Sequence, residues 1–213
     1  MIIYSPIDGE VLTSAVRVNP RHCFLMTRLG HPIPDEVQKM RGRITEICHE
    51  HGFEVVDAAS KISGRDFLLK IWKMIASAPL AIGICHEGLS AETRGNIFYE
   101  LGVAQALGKE TLLVKSPEVS IPSDFVRTEY IEFSESFSHQ FSNFLGGLQE
   151  QALHYETVAS QLDNNPVLAI DYLRRAYLLT GDARLQFEVK QILKGNGLES
   201  RARNSVELLA ASF

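Results

Sequence analysis

The sequence predicts an α/β fold, in which a doubly wound parallel sheet with helices on both faces is followed by a C-terminal helical module. Short apolar runs alternate with amphipathic stretches long enough to be helices, and Gly or Pro lies between them. Strands separated by helices of about ten or more residues favour parallel pairing. No strand pattern follows Ser134, so we expect an α/β nucleotide-handling domain over residues 1–133 and a helical module over residues 134–213.

Composition and charge narrow the class of protein. The chain has 213 residues, of which 45% are hydrophobic and 22% are charged, and its formal net charge is −5. These values are typical of a soluble globular protein and argue against a general nucleic-acid-binding surface. The sequence contains no apolar stretch of about 18 residues and no secretory-signal pattern. Its three cysteines have no metal-ligand spacing. We therefore expect a cytoplasmic protein with no membrane or nucleic-acid partner.

The strands and helices of the α/β region are predicted from the spacing of the apolar residues and from the Gly and Pro residues that end each run. Residues 35–51 place apolar side chains at helical spacing, and Gly52 ends that run. Leu80–Cys85 is apolar throughout, as is typical of a buried strand. By the same criteria we expect strands at 22–28, 53–57, 80–85, 111–115 and 129–133, and helices at 35–51, 65–77 and 96–107. Residues 2–4 could add an edge strand.

The C-terminal module is predicted as a series of helices. We expect them from about 137 into the 150s, at 167–179, and from there to about 194, with breaks at 163–166 and 181–182. The stretch 166–176 resembles the second helix of a tetratricopeptide repeat, and 152–162 is expected to be its first. Residues 195–213 are expected to form a loosely packed final helix or a frayed tail.

One helix of this module is unusually rich in phenylalanine. Phe137, Phe141, Phe144 and Leu148 share one face at helical spacing. This is more apolar surface than a helix beside a small sheet requires, and exposed apolar surface usually marks an interface. We therefore expect the protein to form a homo-oligomer through residues 136–194.

Glu100 is the candidate catalytic residue. When residues 96–107 are wound as a helix, this carboxylate lies beside Ile97, Ala104 and Leu107, less than two turns from the expected helix start. A carboxylate that faces the interior is costly unless a hydrogen-bond partner, the helix dipole or a ligand compensates it. Catalysis or ligand contact is one reason to retain it, and an ion pair with Arg94 or Arg28 is the alternative.

Other candidates follow the carboxyl ends of the predicted strands, where open α/β sheets bind ligands. The loops at 29–34, 58–64 and 86–95 would bring together Glu100 and the candidate ligand-binding residues Arg28, Asp57, His86, Glu87, Arg94 and Asn96. These residues also have simpler interpretations. Asp57 could cap a turn and Asn96 could cap the helix. Arg28 could be a structural ion-pair partner, and His86 and Glu87 could be solvated loop residues. Tyr99 and Trp72 are expected in the core. No glycine-rich phosphate fingerprint follows any strand, and the scattered histidines predict no metal site.

The run from Asn96 through Val114, with its Glu-Leu-Gly, spaced Ala residues and Gly-Lys before an apolar strand, resembles the nucleoside 2-deoxyribosyltransferase-like and bacterial TIR-like families. Residues 121–125 also resemble the segment that follows that strand in these families. The resemblance covers about residues 22–133 and implies a flavodoxin-like fold. It implies that Glu100 acts on an N-glycosidic bond, as the nucleophile of a transferase or as the essential carboxylate of an NAD-cleaving enzyme.

The resemblance leaves the substrate open. Arg28 stands where the deoxyribosyltransferases usually have a small pair of residues, and an arginine suits a phosphate better than a bare nucleoside. We therefore expect cleavage of NAD or a related nucleotide, without a further cofactor, by a protein that could act as a bacterial defence effector. The alternatives are a non-catalytic nucleotide-sensing module that self-associates through its helices, and an interaction scaffold with no pocket around Glu100.

Overall fold

A single parallel sheet forms the centre of the α/β region. The computed structural model describes residues 16–30, 32–58, 67–125 and 129–194. Within these ranges the strands are β1 (His22–Met26), β2 (Glu54–Asp57), β3 (Leu80–Cys85), β4 (Glu110–Lys115) and β5 (Tyr130–Glu132). They pair in the order β2-β1-β3-β4-β5, and every pairing is parallel. This is the flavodoxin-like order, so the predicted fold class is confirmed.

Helices cover both faces of this sheet. They are α1 (Asp35–Glu50), α2 (Phe67–Ser77) and α3 (Ala91–Ala106), and a 3₁₀ turn spans Ser123–Phe125. The buried thiol of Cys23 in β1 interacts with that of Cys48 in α1, whereas Gly83 of β3 lies against α3. Right-handed crossovers place α2 and α3 on the same face, opposite α1. Every residue of β3 is buried, as its apolar sequence predicts.

Strand β1 is shorter than expected. It ends at Met26, so Thr27 and Arg28 lie in the loop that follows and not in the strand. The last residue of β2, Asp57, is opposite Leu25, and beyond that point no described residue pairs with β1 on that side. The ends of the other predicted strands and helices in this region agree with the structure to within two residues. The start of α3 is the exception.

Helix α3 begins five residues earlier than predicted. Ser90 is its N-cap and accepts a hydrogen bond from the backbone N–H of Thr93 at 3.1 Å. Asn96 is therefore an exposed residue within the helix, and its interpretation as a cap is wrong. Glu100 is nearly three turns from the helix start, so the positive end of the helix dipole is too far away to stabilise its charge.

The C-terminal region is helical, as predicted. Its elements are α4 (Phe137–Ser160), α5 (Pro166–Thr180) and α6 (Ala183–Lys194). Residues 152–160 continue α4 and do not form a separate repeat helix. Asn165 caps α5, Pro166 occupies its first turn, and Gly181 ends it in the left-handed conformation, as these residue types favour. Helices α5 and α6 pack together.

The chain divides into two compact units. One is Arg21–Gly146, which contains the sheet and the start of α4, and the other includes the described residues after Gly146 and before Arg21. The expectations for residues 2–4 and 195–213 lie outside the described residues, as does most of the loop at 58–64.

The phenylalanine-rich face of α4 is not exposed. Phe137 and Phe141 are 2% and 0% exposed. Their rings stack at 5.4 Å, and Phe133 packs on Phe137 at 4.9 Å within the Arg21–Gly146 unit. These apolar side chains, from which we expected self-association, are therefore buried by other residues of the same chain. Self-association itself stays a prediction, without this support.

The close approach of α3 to β3 requires a glycine at position 83. A Cβ atom added there would lie 2.7 Å from Leu101 Cδ1 and 2.8 Å from Ile97 Cγ2. We predict that Gly83→Ala lowers the free energy of unfolding by about 1–3 kcal/mol, because the substitution overpacks a buried contact. The measurement is urea denaturation of the purified protein.

Gly42→Ala is the matched control for this prediction. Gly42 is an exposed residue of α1 with no atom within 4 Å of an added Cβ. Alanine should therefore stabilise that helix by about 0.5–1 kcal/mol. Equal effects of the two substitutions would contradict the close packing of α3 on β3.

Candidate functional site

Glu100 is a carboxylate without a charge partner. Its side chain is half-buried on α3, next to the buried residues Ile97 and Ala104. Among the described residues it has no ion pair and no side-chain hydrogen bond, so the alternative of a pair with Arg94 or Arg28 is wrong. Desolvation by burial raises the pKa of the Glu100 carboxyl to about 7. The carboxyl group can therefore exist in either protonation state near neutral pH.

The loop that follows β3 contains a hydrogen-bonded polar cluster. His86 accepts a hydrogen bond from the backbone N–H of Gly88 through Nδ1 at 2.9 Å, and its Nε2 lies 3.4 Å from Glu87. A neutral imidazole with its proton on Nε2 satisfies both contacts. The Ser116 hydroxyl, directly after β4, donates to the other oxygen of Glu87. His86 and Glu87 are thus held in place, and the cluster joins the ends of β3 and β4.

Arg94 lies close to this cluster. The pKa of the Glu87 carboxyl is lowered chiefly by the Ser116 hydrogen bond, then by the residue's own backbone N–H, with a smaller effect of the Arg94 charge. Burial raises the pKa of the Cys85 thiol, while Arg94 and Lys115 oppose the shift. The Arg94 guanidinium makes no ion pair within the described part of the chain. It is available to a ligand anion at this edge of the sheet.

The crevice between the ends of β1 and β3 is the topological switch point of the sheet. The Thr27 hydroxyl is buried there and finds no hydrogen-bond partner among the described residues. Arg28 is half-buried, and no described residue pairs with its guanidinium. A side-chain carbon added at Gly88 would lie 3.6 Å from Pro34, so the loops after β1 and β3 approach each other. Unpartnered donors next to an edge where ligands bind are typical of an anion subsite.

Not every predicted residue joins this region. Asp57 is 8% exposed at the end of β2, and it forms an ion pair with Arg41 of α1. This pair explains the burial of Asp57 without a ligand. Asn96 is exposed, and Tyr99, which we expected in the core, is 52% exposed.

Two residues of the region were missed from the sequence. Thr27 and Ser116 directly follow β1 and β4, so the position of each after a strand end was the available signal. Ser and Thr are too common after strands for that position alone to identify them.

An apolar cavity of about 410 Å³ lies between α2, α3 and the 3₁₀ turn. Trp72 of α2 and Phe125 of the 3₁₀ turn line it together with residues of α3, which include Val103 and Leu107. Val103 and Leu107 are three and seven residues after Glu100, so helix geometry places the carboxylate next to this wall. The cavity belongs entirely to the Arg21–Gly146 unit.

In the described ranges, no three His, Cys, Asp or Glu side chains are grouped as they would be to hold a metal ion. None of the helices in those ranges has the length and apolar character needed to cross a membrane.

No protein-family model and no curated protein matches the chain. Among solved structures, it is similar to a 2-deoxyribosyltransferase from Bacillus psychrosaccharolyticus, with a TM-score of 0.45 and 15% identity over 57% of this chain and 90% of that one. It is also similar to a CMP N-glycosidase from Clostridium botulinum, with a TM-score of 0.41 and 18% identity over 59% of this chain and 97% of that one. Likeness of this degree assigns neither a substrate nor a residue's role to this chain.

The raised pKa of Glu100 makes stability depend on pH. Because the folded-state pKa of about 7 exceeds the ordinary value of 4.5, the native state binds the proton more tightly, and wild-type stability falls as pH rises from about 4.5 to about 7. We predict that Glu100→Gln raises the free energy of unfolding by about 2–3 kcal/mol at pH 8 and by less than about 1 kcal/mol at pH 5. Urea denaturation at the two pH values measures the difference.

Glu92→Gln provides the control for this pH dependence. Glu92 is an exposed carboxylate in the first turn of the same helix, and its substitution should change stability by less than about 1 kcal/mol at either pH. If Glu100→Gln gained no more stability at pH 8 than at pH 5, the carboxylate would not be desolvated.

Proposed function

We propose that the protein cleaves the N-glycosidic bond of a nucleotide, with Glu100 as the carboxylate that acts at the anomeric carbon. The observation that carries the proposal is the environment of Glu100, which is half-buried, unpaired and raised in pKa to about 7 by desolvation. Such perturbed groups cluster at functional sites because they are costly elsewhere. The Glu-Leu-Gly helix pattern that resembles the deoxyribosyltransferase-like families supports the same role.

The chemistry requires a carboxylate with little water around it. As the bond from the anomeric carbon to the base nitrogen breaks, its electron pair leaves with the base and positive charge develops on the sugar. An ionised Glu100 can stabilise this charge or form a covalent bond to the carbon, from which water or a second base then releases the sugar. Apolar neighbours strengthen the attraction because they lower the local dielectric.

A phosphorylated substrate fits the nearby cations. Arg28 and Arg94 lie in the loop after β1 and in the first turns of α3, and neither has an ion-pair partner among the described residues. Guanidinium groups bind phosphate oxygens bidentately, and the buried Thr27 hydroxyl can donate a further hydrogen bond. These contacts favour a nucleotide over a nucleoside.

NAD is the substrate that we propose within this class. Its nicotinamide is positively charged while bound to the ribose and leaves as a neutral molecule, so no acid has to protonate the leaving group. On this proposal the protein would deplete NAD, as a defence effector does.

The test is release of free base by the purified protein. Incubation with NAD, with nucleoside monophosphates and with nucleosides should yield base from the phosphorylated compounds first. We predict that Glu100→Gln lowers kcat at least about 100-fold because the amide cannot stabilise the developing cation, whereas Glu92→Gln retains the wild-type rate.

Different results would overturn the proposal. Equal base release by the wild-type protein and Glu100→Gln would exclude Glu100 from catalysis. Nucleotide binding without base release, also at high protein concentration, would favour the nucleotide-sensing module instead.

The pH dependence of the rate follows from the ionisation of Glu100. If the ionised carboxylate acts, a pKa of about 7 predicts that kcat/KM rises about tenfold between pH 6 and pH 8 and then levels off. Initial rates across this range measure the profile. A rate that falls over the same interval would show instead that the protonated carboxyl acts as an acid.

A further inference from the structure

Aromatic side chains and small residues line the cavity beside α3. The aromatic residues include Trp72, Phe98 and Phe125, and the ring centroids of Phe98 and Phe125 lie 5.0 Å apart. Gly102 and Ala106 of α3 also line the cavity. An added Cβ at Gly102 would meet its nearest atom, Phe125 Cζ, only at 4.0 Å. The small residues of α3 therefore leave space beside the Phe125 ring.

The volume and chemistry of this cavity fit a small planar molecule. About 410 Å³ lies within the range of small-molecule sites. The lining side chains carry no formal charge, so a flat ring gains by stacking and by loss of water. Of the lining side chains only Trp72 and Tyr99 carry a polar group, so a phosphate would lose more hydrogen bonds to water than it could regain there.

Two positions near the end of α3 link this cavity to Glu100. Val103 and Leu107 line the cavity and lie three and seven residues after Glu100, on the same side of the helix. Arg94 lies six residues before Glu100 and about 120° around the helix, so it does not share this face. The carboxylate and the apolar cavity are therefore neighbours, as the sugar and the base of a nucleotide are.

We propose that this cavity binds the heteroaromatic base of the nucleotide while Glu100 faces its sugar. The inference rests on the proposed function for the assignment of the sugar, but the binding of a base can be measured without turnover. Stacking against aromatic side chains tolerates different rings. The cavity would therefore favour a planar base over an aliphatic group and contribute to KM more than to kcat.

Trp72 makes the test direct, because it is the single tryptophan of the chain and it lines the cavity. Titration of the full-length protein with nicotinamide, adenine or cytosine should change its fluorescence, and cyclohexanecarboxamide serves as the non-planar probe. Gly102→Leu fills the cavity without a forced backbone conformation, since no positive φ is found at this glycine. We expect it to weaken base binding about tenfold or more. Gly95→Leu, on the same helix with open space around it, should bind as the wild-type protein does.

Two controls distinguish a variant that fails to fold from a folded variant that fails to bind the base. Circular dichroism confirms that each variant is folded, and Phe125→Leu, which removes one aromatic ring, is a second variant expected to weaken binding. Glu100→Gln should still bind the base, because its carboxylate is not part of the cavity. In the wild-type background, Gly102→Leu should raise KM for base release with a smaller effect on kcat.

The outcomes separate this inference from the proposed function. Base binding that survives both Gly102→Leu and Phe125→Leu, or no fluorescence change in the wild-type protein, overturns the cavity assignment even if base release occurs. Base binding that is lost in both variants while no base release is detected supports the cavity assignment and counts against the enzyme. Equal binding of the planar and non-planar probes would overturn the preference for a heteroaromatic ring.

Discussion

The contact between α3 and β3 fixes the position of Glu100. At Gly83 the strand has no side chain, so Ile97 and Leu101 lie directly on its backbone. These two residues set the rotation of α3 on the sheet, and Glu100 takes a position beside them where water is partly excluded. The pKa of about 7 follows from this placement, because its cause is desolvation and no charged neighbour contributes.

The partial burial of Glu100 affects both the stability of the fold and the reactivity of its carboxylate. An unpaired carboxylate among apolar side chains destabilises the folded protein at neutral pH, and residues that do so persist chiefly where function needs them. The same desolvation strengthens the interaction between a carboxylate and a developing cation. Thr27 and Arg28, which follow β1, have no partner among the described residues. In the proposed function these groups bind the phosphate, while Glu100 acts at the sugar.

The sequence predicted the sheet well because buried strands and amphipathic helices differ in hydrophobic period. The start of α3 was missed because residues 91–95 carry no apolar face and include Gly95, so only the cap at Ser90 marks this turn. Pairing between distant residues was also not predictable: Arg41 and Asp57 meet through the fold, as do Glu87 and Ser116. The phenylalanine-rich face of α4 was expected to be exposed and to form an oligomer interface, which is wrong for Phe137 and Phe141, because the spacing of apolar residues along a helix does not say which part of the chain will cover them.

The ionisation of Glu100 can be measured directly by carbon-13 NMR of protein labelled at the glutamate carboxyl carbons, with Glu100→Gln identifying the resonance. We predict a titration midpoint near pH 7, because burial raises the pKa of this carboxyl to about 7. Addition of a nucleotide should shift this resonance. A midpoint near the ordinary value of 4.5, unaffected by nucleotide, would contradict a desolvated carboxylate at a nucleotide site.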